Sequence, residues 1–202
     1  MRTVVAGLAA SVVAGLFAAG PAGAKASPKP TVVDGLAAMY LQYTAWADQN
    51  DLDPLGTVCV GISGAKKGVV DVEHTAFRCT VGRDGKQAGV VIATALGPEW
   101  LRVIRIVSGA LKPDRGIGAV PKGPEAMVYS DAETALTRSF WAKANKVGKA
   151  FCTGVGAYKK ALLGLQFGSF NCAIYDRSER RSGTVLVQVV SSSSLRVVRR
   201  LS

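Results

Sequence analysis

The residues able to do chemistry in this chain are few, and the four cysteines come first. Cys59 and Cys79 bracket "CVGISGAKKGVVDVEHTAFRC", and Cys152 and Cys172 bracket "CTGVGAYKKALLGLQFGSFNC", with nineteen residues inside each pair. A structural zinc site wants close cysteine pairs supported by histidine. Here the gaps are wide and His74 is the only histidine, so no metal is expected. A redox centre wants a close, exposed pair such as CxxC. Wide, even spacing favours disulfides. Four cysteines allow three connectivities. The recurring frame makes Cys59–Cys79 and Cys152–Cys172 the expected pairs, each closing a loop worth roughly 3 kcal/mol.

The remaining candidates for catalysis are weak, and no catalytic residue and no cofactor is expected. His74 aligns with Phe167 in the second frame, so its position accepts an apolar ring. No GxSxG elbow or HExxH pair occurs in the sequence. Asp48, Asp51 and Asp53 cluster in "ADQNDLDP" but lack the glycine and terminal glutamate of a calcium loop. Asp71 and Glu73 alternate, which fits a solvated strand face. "GVGAYKK", Gly154–Lys160, lacks the third glycine of a dinucleotide loop and the GK[ST] of a P-loop. The lysine pairs Lys66/Lys67 and Lys159/Lys160 read as strand-to-strand turns kept wet by charge.

Charge is more informative. The chain carries a formal +11. Residues 31–107 hold seven Lys/Arg against eight Asp/Glu, and residues 124–202 hold twelve against five. The second half is therefore basic, with Lys143, Lys146, Lys149, Arg177, Arg180, Arg181, Arg196, Arg199 and Arg200 as candidates to meet an anionic partner such as an envelope polymer or lipid. No aromatic stripe accompanies them, which argues against specific nucleic-acid reading. The competing reading is that high net charge only keeps the protein soluble.

These residues need elements to hold them, and the elements repeat. The two cysteine frames share six identities in twenty-one columns: both cysteines, Gly61/Gly154, Lys66/Lys159, Lys67/Lys160 and Phe77/Phe170. The match resumes downstream at Gly89/Gly183, Val91/Val185, Leu101/Leu195, Arg102/Arg196, Val103/Val197 and Arg105/Arg199. Internal repeats dominate the fold prediction. We expect a first repeat over 31–107, a Gly/Pro-rich linker over 108–123 and a second repeat over 124–202. Val32, Val33, Leu36, Met39, Tyr40, Tyr43 and Trp46 recur at three- and four-residue steps, predicting one amphipathic helix. "SDAE", Ser130–Glu133, predicts a capping box for its counterpart. Four strand signals follow each helix. On the third, Val91, Ala93 and Ala95, like Val185, Val187 and Val189, should face inward, with Thr94 and Gln188 on the wetter side. The expected fold is α+β: two tandem repeats, each a helix packed on a four-stranded antiparallel sheet.

The first 24 residues have a lone Arg2, an apolar run from Val4 to Ala19, then Ala22-Gly23-Ala24, the order of a secretory signal peptide. Cleavage is expected after Ala24, with Ala26 as the alternative. The apolar run is shorter than the ~20 residues needed to span a bilayer, and no transmembrane segment is expected. Export to an extracytoplasmic or extracellular compartment suits the disulfides. Tandem secreted helix-plus-four-strand units with one disulfide each resemble the beta-lactamase inhibitory protein family. That resemblance implies a protein-binding surface on the concave face of paired sheets. The expectation is a secreted binding or inhibitory module that is not an enzyme, partnered by an extracellular protein. The alternative is an envelope protein held to anionic polymer or lipid by its basic second repeat.

Overall fold

The computed structural model describes residues 31–53, 55–68 and 71–202. The expected signal peptide, 1–24, and the apolar positions Val69 and Val70 lie outside them. The described residues form an α+β structure with four helices and four antiparallel sheets. In chain order, β1 (Val32–Val33) leads to α1 (Asp34–Gln42), α2 (Ala45–Gln49), β2 (Val58–Ser63), β3 (Lys66–Lys67), β4 (Val72–His74), β5 (Ala76–Arg83), β6 (Lys86–Gly97) and β7 (Trp100–Ser108). The second half brings α3 (Tyr129–Arg138), α4 (Phe140–Ala144), β8 (Val147–Gly154), β9 (Tyr158–Ala161), β10 (Gly164–Phe167), β11 (Ser169–Asp176), β12 (Arg181–Ser191) and β13 (Ser194–Arg200). The larger sheets are meanders ordered β2-β5-β6-β7 and β8-β11-β12-β13; the smaller ones are β1-β4-β3 and the β9–β10 hairpin.

The single amphipathic helix expected over Val32–Trp46 is instead a strand and two short helices. Val32 and Val33 pair with His74 and Glu73. The helix breaks at Thr44, whose backbone is extended. Its hydroxyl accepts from Ala47 N at 3.3 Å and donates to Leu41 O at 2.7 Å, so it closes one helix and opens the next. Ser139 does the same between α3 and α4, taking Ala142 N at 3.0 Å and giving to Leu136 O at 2.6 Å. The break rotates the buried stripe. Ala37, Tyr40, Leu41 and Trp46 are buried, whereas Leu36 and Met39 are exposed.

The expected capping box at Ser130 does not form. The α3 N-cap is Val128, without a side-chain bond. Glu133 instead accepts from Cys152 N at 2.9 Å. The cause lies in β8, an edge strand whose outward amides have no neighbouring strand. Glu99 serves the next outward amide of the same edge, Gly154 N, at 2.7 Å. The lysine pairs are not turns either: Lys66–Lys67 form β3, and Lys159–Lys160 lie in β9.

The inward residues of β6 and β12 are as their alternation predicts. Val91, Ala93, Ala95, Val185, Val187 and Val189 are all buried. The first core gathers Leu41, Trp46, Phe77, Val81 and Leu101 under α1 and α2; the second gathers Leu136, Phe167, Phe170 and Ile174 under α3 and α4.

The halves then pack on each other, and unequally. The outer face of the second sheet is covered by the α1–α2 corner of the first half. Tyr43 stacks on Phe151 with centroids 5.1 Å apart, and Asn171 Nδ2 donates to Tyr43 O at 3.2 Å. Arg181 donates to Gln42 O at 2.6 Å and pairs with Asp48, which also takes the Thr184 and Ser202 hydroxyls. Leu186, Val155 and Ile117 form a small third core beside Trp100, Val120 and Leu201. Residues 108–123 run along this seam. Lys112 O accepts from Trp46 Nε1 at 2.8 Å, Asp114 takes Val103 N at 3.0 Å, and Arg199 donates to Ile117 O.

Candidate functional site

The cysteines stand directly opposite one another on neighbouring strands. Cys59 faces Cys79 across β2–β5, and Cys152 faces Cys172 across β8–β11. Both pairs are disulfides. Cys79 and Cys172 are fully buried within the cores, which places the bonds away from exchange partners in solution.

His74 holds a ring position rather than a reactive one. It lies over Gly61, where any Cβ would come within 2.1 Å of Nδ1, and meets Phe77 edge-on with centroids 6.0 Å apart. Phe167 lies over Gly154 in the same way, where a Cβ would come within 2.2 Å, and meets Phe170 edge-on at 5.8 Å. Gly61 and Gly154 therefore recur as seats for a ring. His74 Nδ1 is 2.6 Å from Asp34 Oδ1, a pairing that orients the imidazole. Three further carboxylates are likewise engaged within the fold. Asp53 takes Gly85 N at 2.9 Å, Asp71 takes Gly35 N at 2.9 Å, and Glu73 takes the Thr31 hydroxyl at 2.6 Å. Among the described residues, no group of three His, Cys, Asp or Glu side chains could hold a metal.

The basic set divides. Lys143, Lys146, Lys149 and Arg177 are exposed, with Lys149 Nζ lying 4.7 Å over the Phe151 ring. Arg180 pairs with Asp176 at 3.3 Å, Arg196 bonds Gln188 at 2.5 Å, and Arg200 bonds Ser202 O at 2.9 Å. Arg199 is held by Ile117 O. Arg181 leaves the candidate set. Its side chain is only 17% exposed and its charge is matched by Asp48, because the α1–α2 corner covers the sheet there. Asp176 has its carboxyl held below its ordinary value chiefly by the backbone hydrogen bond from Arg180.

Two carboxylates move the other way. Burial pushes Glu99 and Glu133 above the ordinary carboxylate value, opposed in part by the amides of Gly154 and Cys152. Burial likewise raises the phenols of Tyr40, Tyr43 and Tyr175. Glu99 and Glu133 hold the β8 edge amides, and Tyr43 and Tyr175 pack on the Phe151 ring.

The surface that stands out is the outer face of the first sheet. Val58 and Val60 are 65% and 62% exposed, and Ile62 and Ile104 are also open. Register aligns Val60, Arg78, Ile92 and Arg105 in one row across the four strands, with Val58, Thr80 and Val90 in a second. Arg102 lies in a third row beside Thr94. No carboxylate stands in these rows, and Arg78, Arg102 and Arg105 make no ion pair among the described residues. A groove of about 710 Å³ lined by Leu55, Thr80, Gly82 and Gln87 extends the face at one end. The corresponding face of the second sheet is buried under α1–α2.

Sequence reasoning missed this face, although it contains a signal. A cysteine committed to a buried disulfide points inward, so its neighbours Val58 and Val60 must point outward by strand alternation.

No protein-family model, curated protein or solved structure matches this chain. Among the described residues, no helix is long and apolar enough to cross a membrane.

Proposed function

We propose that the chain is two tandem copies of one disulfide-stapled α+β unit, and that it is a secreted, non-enzymatic module that binds another protein. The observation that carries this reading is the bare outer face of the first sheet. Exposed Val58, Val60 and Ile62 line the β2 edge and Ile104 lies on β7 at the other edge, with the unpaired Arg78, Arg102 and Arg105 interleaved among them. Contiguous apolar surface on a folded domain marks an interaction site more often than not, and arginine is enriched at protein interfaces. The face fits a partner surface on which apolar side chains and carboxylates alternate. The duplication supports the reading too, since the same face of the second unit is already a binding face, occupied by the first unit's helices.

A photo-crosslinker at position 60 tests it, with the same group at Lys143 as control. The expected result is capture of one extracellular protein from position 60 only, lost when Val58→Asp is added. Equal capture from both positions, or from neither, sinks the reading. The likeness to beta-lactamase inhibitory proteins suggests an inhibitory form, which a beta-lactamase assay with the purified mature chain checks separately.

Adhesion to an anionic envelope polymer is the second reading. Exposure of Lys143, Lys146, Lys149 and Arg177 favours it. Such adhesion weakens as salt rises past the range where the Debye length falls below about 8 Å, and salt-independent binding to purified wall excludes it.

A further inference from the structure

The β9–β10 hairpin carries a feature that neither reading uses. It is a separate two-stranded ribbon, with Ala161 paired to Gly164 and Tyr158 to Phe167. Its two turn positions are Leu162 and Leu163, which are 101% and 86% exposed. Two-residue hairpin turns normally hold Asn, Asp or Gly, whose backbones suit them. The two-residue turns of the larger sheets, Asp84-Gly85 between β5 and β6, Pro98-Glu99 between β6 and β7 and Ser192-Ser193 between β12 and β13, carry no such apolar pair. Neither leucine has a positive φ, and that position in this hairpin falls to Gly164 at φ 120°, so the turn's backbone tolerates the leucines without calling for them. They pack against nothing in their own fold.

Behind the tip stand Lys159 and Lys160, both exposed, with no carboxylate anywhere in the hairpin. At ~3.3 Å per strand residue, their ammonium groups sit within about 10 Å of the tip. Tyr158 follows, half-exposed and tilted over the Phe167 ring at 5.9 Å. An apolar tip with lysines behind it follows the depth order of an anionic bilayer, acyl chain then headgroup, and Tyr158 adds an aromatic ring of the kind enriched at headgroup level. A protein groove would be expected to match one face of the ribbon. Here consecutive leucines project from its end, and the lysines that flank them match a negatively charged planar surface. The first cysteine frame repeats the order in sequence, with Lys66-Lys67 followed by Val69-Val70.

We infer that the β9–β10 hairpin is a membrane-surface finger, inserting Leu162 and Leu163 among the acyl chains of an anionic bilayer while Lys159 and Lys160 contact its headgroups. The attachment is interfacial. Two leucines and two lysines give weak, reversible binding on their own, so the finger positions the protein at a bilayer rather than anchoring it permanently. It is independent of the first-sheet binding face and can fail without affecting that reading.

Flotation of the mature chain with phosphatidylcholine vesicles, with and without 30% phosphatidylglycerol, provides the test. Binding is expected only with the anionic lipid. A Leu162→Asp/Leu163→Asp double variant should lose binding by roughly tenfold or more, the change that corresponds to leaving even one leucine in water. It should keep the wild-type thermal transition, because neither side chain packs on the fold. Lys159→Gln/Lys160→Gln should weaken binding and flatten its salt dependence. In Leu163→Trp, fluorescence should shift to the blue on adding vesicles and be quenched by lipid brominated on its acyl chains. Three outcomes would overturn the inference: vesicle binding unchanged by the aspartates, binding with no blue shift, or a tip that the aspartates detach from a protein partner but not from vesicles.

Discussion

At the scale of single residues, the repeated glycines carry a specific requirement. Gly154→Ala places a methyl within 2.2 Å of the Phe167 ring, and the ring must leave its seat. Overpacking of this kind costs about 1–3 kcal/mol, read as a lower urea midpoint. Gly61→Ala should cost less in a His74→Ala background than alone, since the clash and its partner are then removed together. Asp48 and Arg181 make a second sharp case. Removing one member leaves the other buried and unmatched, so Asp48→Ala should lose about 3–5 kcal/mol. The joint replacement Asp48→Leu/Arg181→Met should be milder than either single change. A double-mutant cycle in urea checks the coupling.

Glu99 and Glu133 make stability depend on pH. Burial raises both above their ordinary value of 4.5. A raised carboxyl favours the folded state while it is protonated. That contribution is fully present below pH 4.5 and is lost as pH rises through the raised value. Glu99→Gln and Glu133→Gln keep an acceptor for the β8 amides but cannot ionise. Unfolding midpoints compared between pH 4 and pH 7 should fall less for the double variant than for wild type. Parallel curves would mean that the two carboxylates are ionised without penalty.

At the scale of elements, the strands were far more legible than the helices. Strand alternation places Val91, Ala93 and Ala95 inward without knowledge of any partner. The α1 pattern misled because Val32 and Val33 have a strand to pair with, and because Thr44 turns the chain between two helices. A β-branched residue and a hydroxyl cap are visible in sequence, yet their effect depends on what packs behind them. The edge of β8 was illegible for the same reason. Glu133 had a local role available as a capping partner, but the unpaired amide of a strand nineteen residues away was the stronger demand.

The disulfides act at this scale as well. Each joins the first and second strands of a meander across a separation of 20 residues. Replacing Cys152 and Cys172 by alanine should cost about 3 kcal/mol in the chain-entropy account. The hydrogen-exchange protection of β8 and β11 should fall first, while β5 and β6 hold. Uniform loss across both sheets would mean that the two units unfold as one.

At the scale of the whole molecule, the two larger sheets differ most in what covers them. The second is sandwiched between α3–α4 and the α1–α2 corner, so residues 124–202 expressed alone would expose Leu186, Val155 and Phe151 to water. That fragment should bind a hydrophobic dye and self-associate at concentrations where the full mature chain is monodisperse. A well-folded, dye-silent fragment would show that the seam contributes little.

Sequence alone determined the recurring cysteine frame, the disulfide spacing, the strand alternation and the basic second half, because each depends on residue type along the chain. Tertiary structure alone decided which faces those residues show. Arg181 is written as one basic residue among many and becomes an internal partner of Asp48; Val58 and Val60 belong to a strand run whose faces the sequence reading left unassigned, and they become open surface. The reason is physical. Periodicity specifies that a strand has two unlike faces, but only the docking of α1–α2 on the second sheet specifies which face stays in water.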